Sequence, residues 1–281
     1  MKRLSRTGIE YGDYGWNFYP GCLHKPAGIC PVDRCWAESM SKRQKQYFYE
    51  PHLIPELLLA PLRVKKPSVI LVNFMGDLFG DWVNPNMIID EGTGLEADRY
   101  IGMSLKEYVF DIILECPQHT FLFLTKAPWN LAKWGQFPDN AWVGATVWDN
   151  ESYFHTLYGV GLSQVEAKHK WLSIEPLLGE IHARPYEFEK KGIEWVVMGG
   201  QTRPDKMPKI EWVEEIIMAA GGAGMVPVWL KNNLKPLIEK HNKAACDECE
   251  AGDPCDYCGA VMKFRQELPL WERRRVSPLK S

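Results

Sequence analysis

Short, continuous apolar runs recur along this chain, each bounded by Gly or Pro and each followed by a polar or charged residue: PSVILVNFMGD, HTFLFLTK, NAWVGATVW, KHKWLSIEP, WVVMGGQ and VPVWLKN. A run that does not alternate polar with apolar is the pattern of a strand buried on both faces, which is how strands sit in a parallel sheet covered by helices. Between the runs lie helical patterns, LKEYVFDIILECP behind a capping Ser104, then NLAKWG, ESYFHTLYGVG and IEWVEEIIMAAGGAG, and GWNFY near the start reads as a further strand. Strand alternating with helix predicts βαβ crossovers. The 281 residues, 46% hydrophobic and 25% charged, suffice for one catalytic domain. The expected fold is therefore α/β, a partial (β/α) barrel of six to seven parallel strands over residues 1–235, with a small C-terminal appendix over residues 236–281.

In such a fold the chemistry gathers at the carboxyl ends of the strands. Reading those ends gives Asp77, Thr125, Lys126, Thr146, Glu175, Gln201 and Lys231, expected to face one cavity. Lys126 suits a carboxylate or a phosphate, and Glu175, fixed in an extended conformation by the proline after it, needs a cationic or hydrogen-bonding partner if buried, with Lys126 as a candidate. Lys126 and Glu175 are the candidate catalytic residues. Lys231 is the weakest member of the set. Asp77 also reads as a cap following a turn.

Three cysteines, Cys22, Cys30 and Cys35, share the Gly/Pro-rich stretch WNFYPGCLHKPAGICPVDRCWAE, which feeds directly into a helical pattern. Turns imposed by its glycines and prolines let the thiols converge from one side. Three thiolates, unlike four, leave a coordination position open for a ligand. His24 lies inside this loop as a possible further ligand. Cys116, alone in an apolar helical pattern, reads as a buried small hydrophobe, and His119, just before a strand, as a structural donor.

Net charge is −3 and the sequence pI about 6.2, so no global field draws the chain to nucleic acid, although a local basic groove would suffice. The start lacks an apolar signal core and no run approaches the ~18 apolar residues of a membrane span. A soluble, cytoplasmic protein with no membrane partner is the expectation, and eight cysteines in a reducing compartment argue for ligands over disulfides. The long loop-like stretch over residues 80–104 reads as a lid or a substrate-binding insertion.

The blocks TGIEYGDYGWNFYPGC, CWAE, MGDLFG, CPQHTFLFLTKAP, WVGATV, LSIEPLLGEI and WVVMGGQ, in this order over roughly residues 7–235, resemble the successive motifs of a phage- and prophage-associated family of unknown function in the radical S-adenosylmethionine (SAM) superfamily, placed beside spore photoproduct lyase. The spacing here, C-x7-C-x4-C, is wider than that superfamily's usual C-x3-C-x2-C. The resemblance implies a 4Fe-4S cluster held by Cys22, Cys30 and Cys35, with SAM on the open iron and a 5′-deoxyadenosyl radical as the reactive species. It also implies that Gly76 and Asp77 receive the methionine amino group. Thr125, Lys126, Thr146, Glu175 and Gln201 would complete the SAM pocket, with Gly199, Gly200 and Gln201 approaching the adenine or the sulfonium. By analogy the substrate is a nucleobase or nucleoside, for repair or modification, and the electron donor a protein such as flavodoxin or ferredoxin. The twelve tryptophans include Trp129, Trp142, Trp148, Trp171, Trp195 and Trp229; most read as core or barrel-rim packing, and a few at the mouth of the site would stack on a nucleobase.

The appendix carries CDECEAGDPCDYC, that is Cys246, Cys249, Cys255 and Cys258 as two C-x2-C knuckles. Four thiolates make a closed tetrahedral set, for zinc or for an auxiliary iron–sulfur cluster. The basic ending KFRQELPLWERRRVSPLK reads as a solvated tail able to meet phosphates. Two other functions stay open on the residues alone: a non-catalytic, metal-stabilised nucleic-acid or protein-binding module, and a zinc-dependent hydrolase, against which the absence of an H-x-x-H pair counts.

Overall fold

Three of the apolar runs, together with the strand read in GWNFY, become parallel neighbours in the first of the two units into which the chain divides, residues 1–146 with 155–170. The second unit comprises residues 147–154 with 171–281. The structure is a computed structural model and describes residues 2–44, 47–89, 102–202, 204–247 and 262–269.

In the first unit, β1 (Ser5–Arg6), β2 (Tyr14–Trp16), β3 (Val69–Val72), β4 (Thr120–Thr125) and β5 (Ala141–Thr146) lie side by side in that order. β1 pairs antiparallel with β2, and every later pairing is parallel, with Tyr14 opposite Ile70, Val69 opposite Thr120 and Phe121 opposite Ala141. All four residues of β3 and all six of β5 are buried, as two-sided burial of a parallel strand requires. Trp16, Ile70, Phe121, Phe123 and Trp142 form the centre, each at most 2% exposed and each contributing about 1.5–3 kcal/mol by leaving water. The crossover after the cysteine loop begins with α1 (Trp36–Arg43), which stops at Arg43; the following prolines permit only two 3-10 turns, Pro55–Leu57 and Pro61–Arg63. α2 (Leu105–Leu114) starts at a capping box in which Ser104 and Glu107 exchange hydrogen bonds. The segment expected as a helix after β4 is a 3-10 helix, Pro128–Trp134, that buries Leu131 and Trp134 against the sheet. Of the stretch expected as a lid, residues 90–101 lie outside the described residues.

α3 (Asn150–Tyr158) is divided between the units, and β6 (His169–Ile174) gives its last four residues to the second. There follow α4 (Pro185–Lys191), β7 (Ile193–Met198), a small antiparallel hairpin of β8 (Gln201–Thr202) and β9 (Asp205–Lys206), α5 (Ile210–Gly222), β10 (Val228–Leu230) and α6 (Lys235–Asp247). β7 lies between β6 and β10, parallel to β10 with Val196 opposite Val228. The stretch after the four-cysteine motif returns to the free side of β10: Leu230 N donates to Arg265 O (2.8 Å), Glu267 N to Val228 O (3.0 Å), and the Trp195 indole to Glu267 O (3.0 Å). An open strand edge is thereby covered. Asn242 on α6 exchanges two hydrogen bonds with the backbone of Met262, at 2.8 and 2.9 Å, so the chain on either side of the motif is tied together.

The architecture is thus mixed α/β with a mostly parallel sheet, as expected. The hairpin β8–β9, the short edge strand β1 and the helices α4 and α6 are additions that the apolar pattern did not announce. Among the described residues no helix is long and apolar enough to cross a membrane.

Candidate active site

The parallel strands β2 to β5 deliver their carboxyl ends to the same side of the sheet, and the cysteine loop leaves from the end of β2 on that side. Two glycines fix its entry. Gly21 forms a parallel bridge with Gly76, and its N–H donates to Met75 O at 3.1 Å. A Cβ on Gly76 would stand 2.5 Å from Gly21 O and 3.0 Å from Tyr19 O. Gly21 has φ +99°, and a Cβ there would lie 2.8 Å from the backbone of Pro51. Gly76 is therefore glycine because the loop backbone lies on it. We expect Gly76→Ala to displace Cys22 and cost about 1–3 kcal/mol, read by denaturant melts beside the parent.

Asp77 gathers four protein donors. Its Oδ2 accepts from His24 Nε2 (2.7 Å), Thr125 Oγ1 (2.9 Å) and the Lys126 N–H (2.9 Å), and its Oδ1 accepts from the Phe79 N–H (2.9 Å). A carboxylate has about four acceptor positions, so Asp77 is occupied by the chain itself. It joins the cysteine loop, through His24, to the end of β4, through Thr125 and Lys126. The bond to Phe79 closes a turn, where the sequence admitted a helix N-cap. His24, 1% exposed, packs edge-on against Trp82 at 4.9 Å, and its carbonyl accepts from the N–H groups of Ile29 and Cys30. The imidazole is thus a strut inside the loop, with Nδ1 buried and without a partner among the described residues.

The three thiols are half-buried and unbridged. Burial pushes the Cys22 thiol up to about 12, opposed by the His24 N–H it accepts from and by Lys126, and raised further by Asp77 and Cys30. Burial also raises Cys35, opposed by the N–H groups of Glu38 and Ala37 in the first turn of α1 and by Lys126, with Cys30 again raising it. Cys30 thus acts on both other thiols, and Lys126 is the cation both of them feel. Lys126 is half-buried, and no carboxylate pairs with its Nζ among the described residues. Tyr49 stands beside the group: burial and a hydrogen bond to Glu38 push its phenol up to about 12, with smaller contributions from Cys35 and Cys22. Thr146, the last residue of β5, is 2% exposed with Oγ1 unpartnered among the described residues.

Backbone N–H groups aimed at Cys22 and Cys35 are the hydrogen bonds that thiolate ligands of iron–sulfur clusters use. The desolvation that raises both thiols is what a bound polycation reverses, since metal binding deprotonates its thiol ligands. In donor chemistry the residues therefore fit an iron–sulfur cluster. Among the described residues no three or more His, Cys, Asp or Glu side chains are grouped so as to hold a metal ion.

The other predicted residues stand in the second unit. Glu175 pairs with Lys231, their side chains 24% and 20% exposed. Gly199 leaves room for this pair, since a Cβ there would lie 3.2 Å from Glu175 Cγ and from Lys231 Cδ. Asn233 exchanges hydrogen bonds with Gly200, donating to its carbonyl at 2.7 Å. Buried Gln201 donates to Pro204 O at 3.0 Å. Lys231, the weakest member of the predicted set, and not Lys126, is thus the cation that Glu175 pairs with. Cys116 is 1% exposed with its thiol pushed up to about 11 by burial, and buried His119 places Nε2 at 2.9 Å from Val64 O, both as read from the sequence. Cys246 falls within α6, while Cys249, Cys255 and Cys258 lie outside the described residues.

Sequence reasoning missed the His24–Asp77 tie and the role of Asn73, which holds φ +55° at the end of β3 and accepts the Tyr19 N–H at 2.9 Å. Only the position of His24 between two cysteines hinted at the first.

Residues 6–97 and 95–252 match a family described as "Protein of unknown function (DUF5131)", and the chain belongs to that family. No curated protein and no solved structure matches it.

Proposed function

We propose that this protein is a cytoplasmic radical SAM enzyme acting on a nucleobase or nucleoside, on a partial (β/α) barrel scaffold with a metal-binding four-cysteine appendix. The observation that supports this reading is that Asp77 ties the loop carrying Cys22, Cys30 and Cys35, through His24, to the carboxyl end of β4, through Thr125 and the Lys126 N–H. Bound there, a 4Fe-4S cluster with SAM supplies one-electron cleavage of the sulfonium and hydrogen abstraction from substrate.

The chain's own residues do the positioning. Cys22, Cys30 and Cys35 hold the cluster, with backbone N–H groups stabilising two of the sulfurs. His24 and Asp77 fix the loop to β4. Lys126, whose backbone Asp77 fixes, offers its ammonium to the carboxylate of SAM or to a substrate phosphate. Asp77, engaged by four donors, acts through His24 and Lys126 and not as the acceptor of the methionine amine. Zinc or an auxiliary cluster at Cys246, Cys249, Cys255 and Cys258, and an electron donor such as flavodoxin or ferredoxin, complete the proposal.

Anaerobic purification followed by reduction in the presence of SAM tests it. Iron and sulfide near four per chain at this site, with 5′-deoxyadenosine released, are expected. Zinc alone after full reconstitution overturns the reading and favours the metal-stabilised binding module.

A further inference from the structure

The segment after β4 presents a cation and an exposed indole three residues apart, Lys126 and Trp129. Trp129 is 38% exposed although it belongs to a 3-10 helix whose Pro128, Asn130, Leu131 and Trp134 are all buried. An exposed tryptophan is ordinary, but this one is held. Its Nε1 donates to Asp81 Oδ1 at 3.2 Å, and Asn130 Nδ2 donates to the same oxygen and to Phe79 O, both at 2.7 Å. Those hydrogen bonds keep the Asp81 carboxyl below its ordinary range, with Lys133 also favouring its charge. Beneath them Phe79 packs on Trp134 at 5.2 Å and on Phe123 at 5.9 Å. The indole is thus oriented by a buried amide and an aromatic core before any ligand arrives. Asp77 fixes the start of the same segment through the Lys126 N–H.

We propose that Trp129 and Lys126 form a docking platform for one nucleoside phosphate unit of a single-stranded nucleic acid, the base stacking on the indole and the phosphate pairing with the ammonium. This rests on the reading of the cysteine loop as the reactive centre, because one oxygen of Asp77 accepts from both His24 of that loop and the Lys126 N–H and so ties the start of the platform to the loop. A held indole face suits any nucleobase, since every base has a π-face, and a lysine contributes a point charge to phosphate. Bases inside a duplex are already stacked on both sides, so the single strand is the form that fits. With a net charge of −3 there is no broad field to gather phosphates. Affinity therefore depends on stacking and one ion contact, and its salt dependence is shallow.

The test titrates labelled oligothymidylate against the full chain, metal-free and reconstituted, by fluorescence anisotropy. Trp129→Ala weakens binding by about tenfold or more, while Trp129→Phe, which keeps a ring, stays within about threefold. Lys126→Ala weakens binding and lowers the log–log salt slope by about 0.7. Phe154→Ala, which removes another exposed ring, changes nothing. The matching duplex binds at least about tenfold more weakly than the single strand. Parent-like affinity in Trp129→Ala, or equal binding of duplex and single strand, overturns the platform. Trp129-dependent binding in a chain that takes up no iron removes the cofactor reading and leaves the platform standing. Iron uptake without Trp129 dependence removes the platform alone.

Discussion

A chain in which Cys22, Cys30 and Cys35 are all replaced by alanine is expected to emerge colourless from anaerobic reconstitution, while the parent is brown and absorbs in the visible through thiolate-to-iron charge transfer. The expectation rests on how the thiols sit. Two are raised by burial, so as free thiols they stay protonated at neutral pH; a cluster stabilises them as thiolates and the backbone donors at Cys22 and Cys35 then have full charges to bind. Removing the three sulfurs removes every thiol the described residues place at this site, so the effect is loss of the whole cluster. Whatever metal Cys246 to Cys258 hold remains, which elemental analysis resolves as retained zinc or residual iron. Cys116→Ala serves as the comparison: that thiol is buried at the end of α2, and its removal leaves iron content at the parent's level. A triple variant that keeps the parent's iron and spectrum ends the proposal for this loop.

The strands were legible because a parallel strand is buried on both faces and so writes its whole length in apolar residues. VILV, TFLFLT and AWVGAT therefore stand out without any knowledge of their neighbours. The ends of those strands were legible for the same reason, since the first polar residue marks where two-sided burial stops. What joins the ends was not. His24 and Asp77 are 53 residues apart, and Glu175 and Lys231 are 56 apart, distances spanned by crossovers whose geometry no local pattern encodes. The polar residue types announced a site, and the pairing among them had to come from the fold. The same limit explains Asp77 itself. Its position after a Gly suggested a ligand-binding carboxylate, but the donors that occupy it come from three segments, of which only Phe79 is its neighbour in sequence. The helix predicted after β4 became 3-10 because Pro128 opens it and four of its seven residues must reach the core in a short span.

That occupancy of Asp77 decides what substitution there does, and it makes His24 the more informative position. Asp77→Ala leaves the His24 Nε2–H, the Thr125 hydroxyl and the N–H groups of Lys126 and Phe79 without their acceptor. Buried donors stripped of a partner cost about 1–3 kcal/mol each, so the sum approaches the 5–15 kcal/mol that holds a typical domain together. Poor folding is the expected outcome, and it says little about cofactor binding. His24→Leu is milder, because Asp77 keeps three of its four donors and a leucine fills much of the ring's volume. It removes only the tie between the cysteine loop and β4, costing about 1–3 kcal/mol. The loop still forms, yet Cys30 loses its support, since the segment whose carbonyl holds the Ile29 and Cys30 N–H groups is no longer anchored. The expected signature is normal secondary structure with iron lost to a chelator at least about tenfold faster than from the parent. His24→Gln, which returns an N–H near the position of Nε2, restores most of the retention. A merely structural role for His24 lowers the melting midpoint without changing the rate of iron loss below the melt, so chelation kinetics at low temperature separate the two. Parent-like retention in a folded His24→Leu chain would show that the strut does not bear on the thiols.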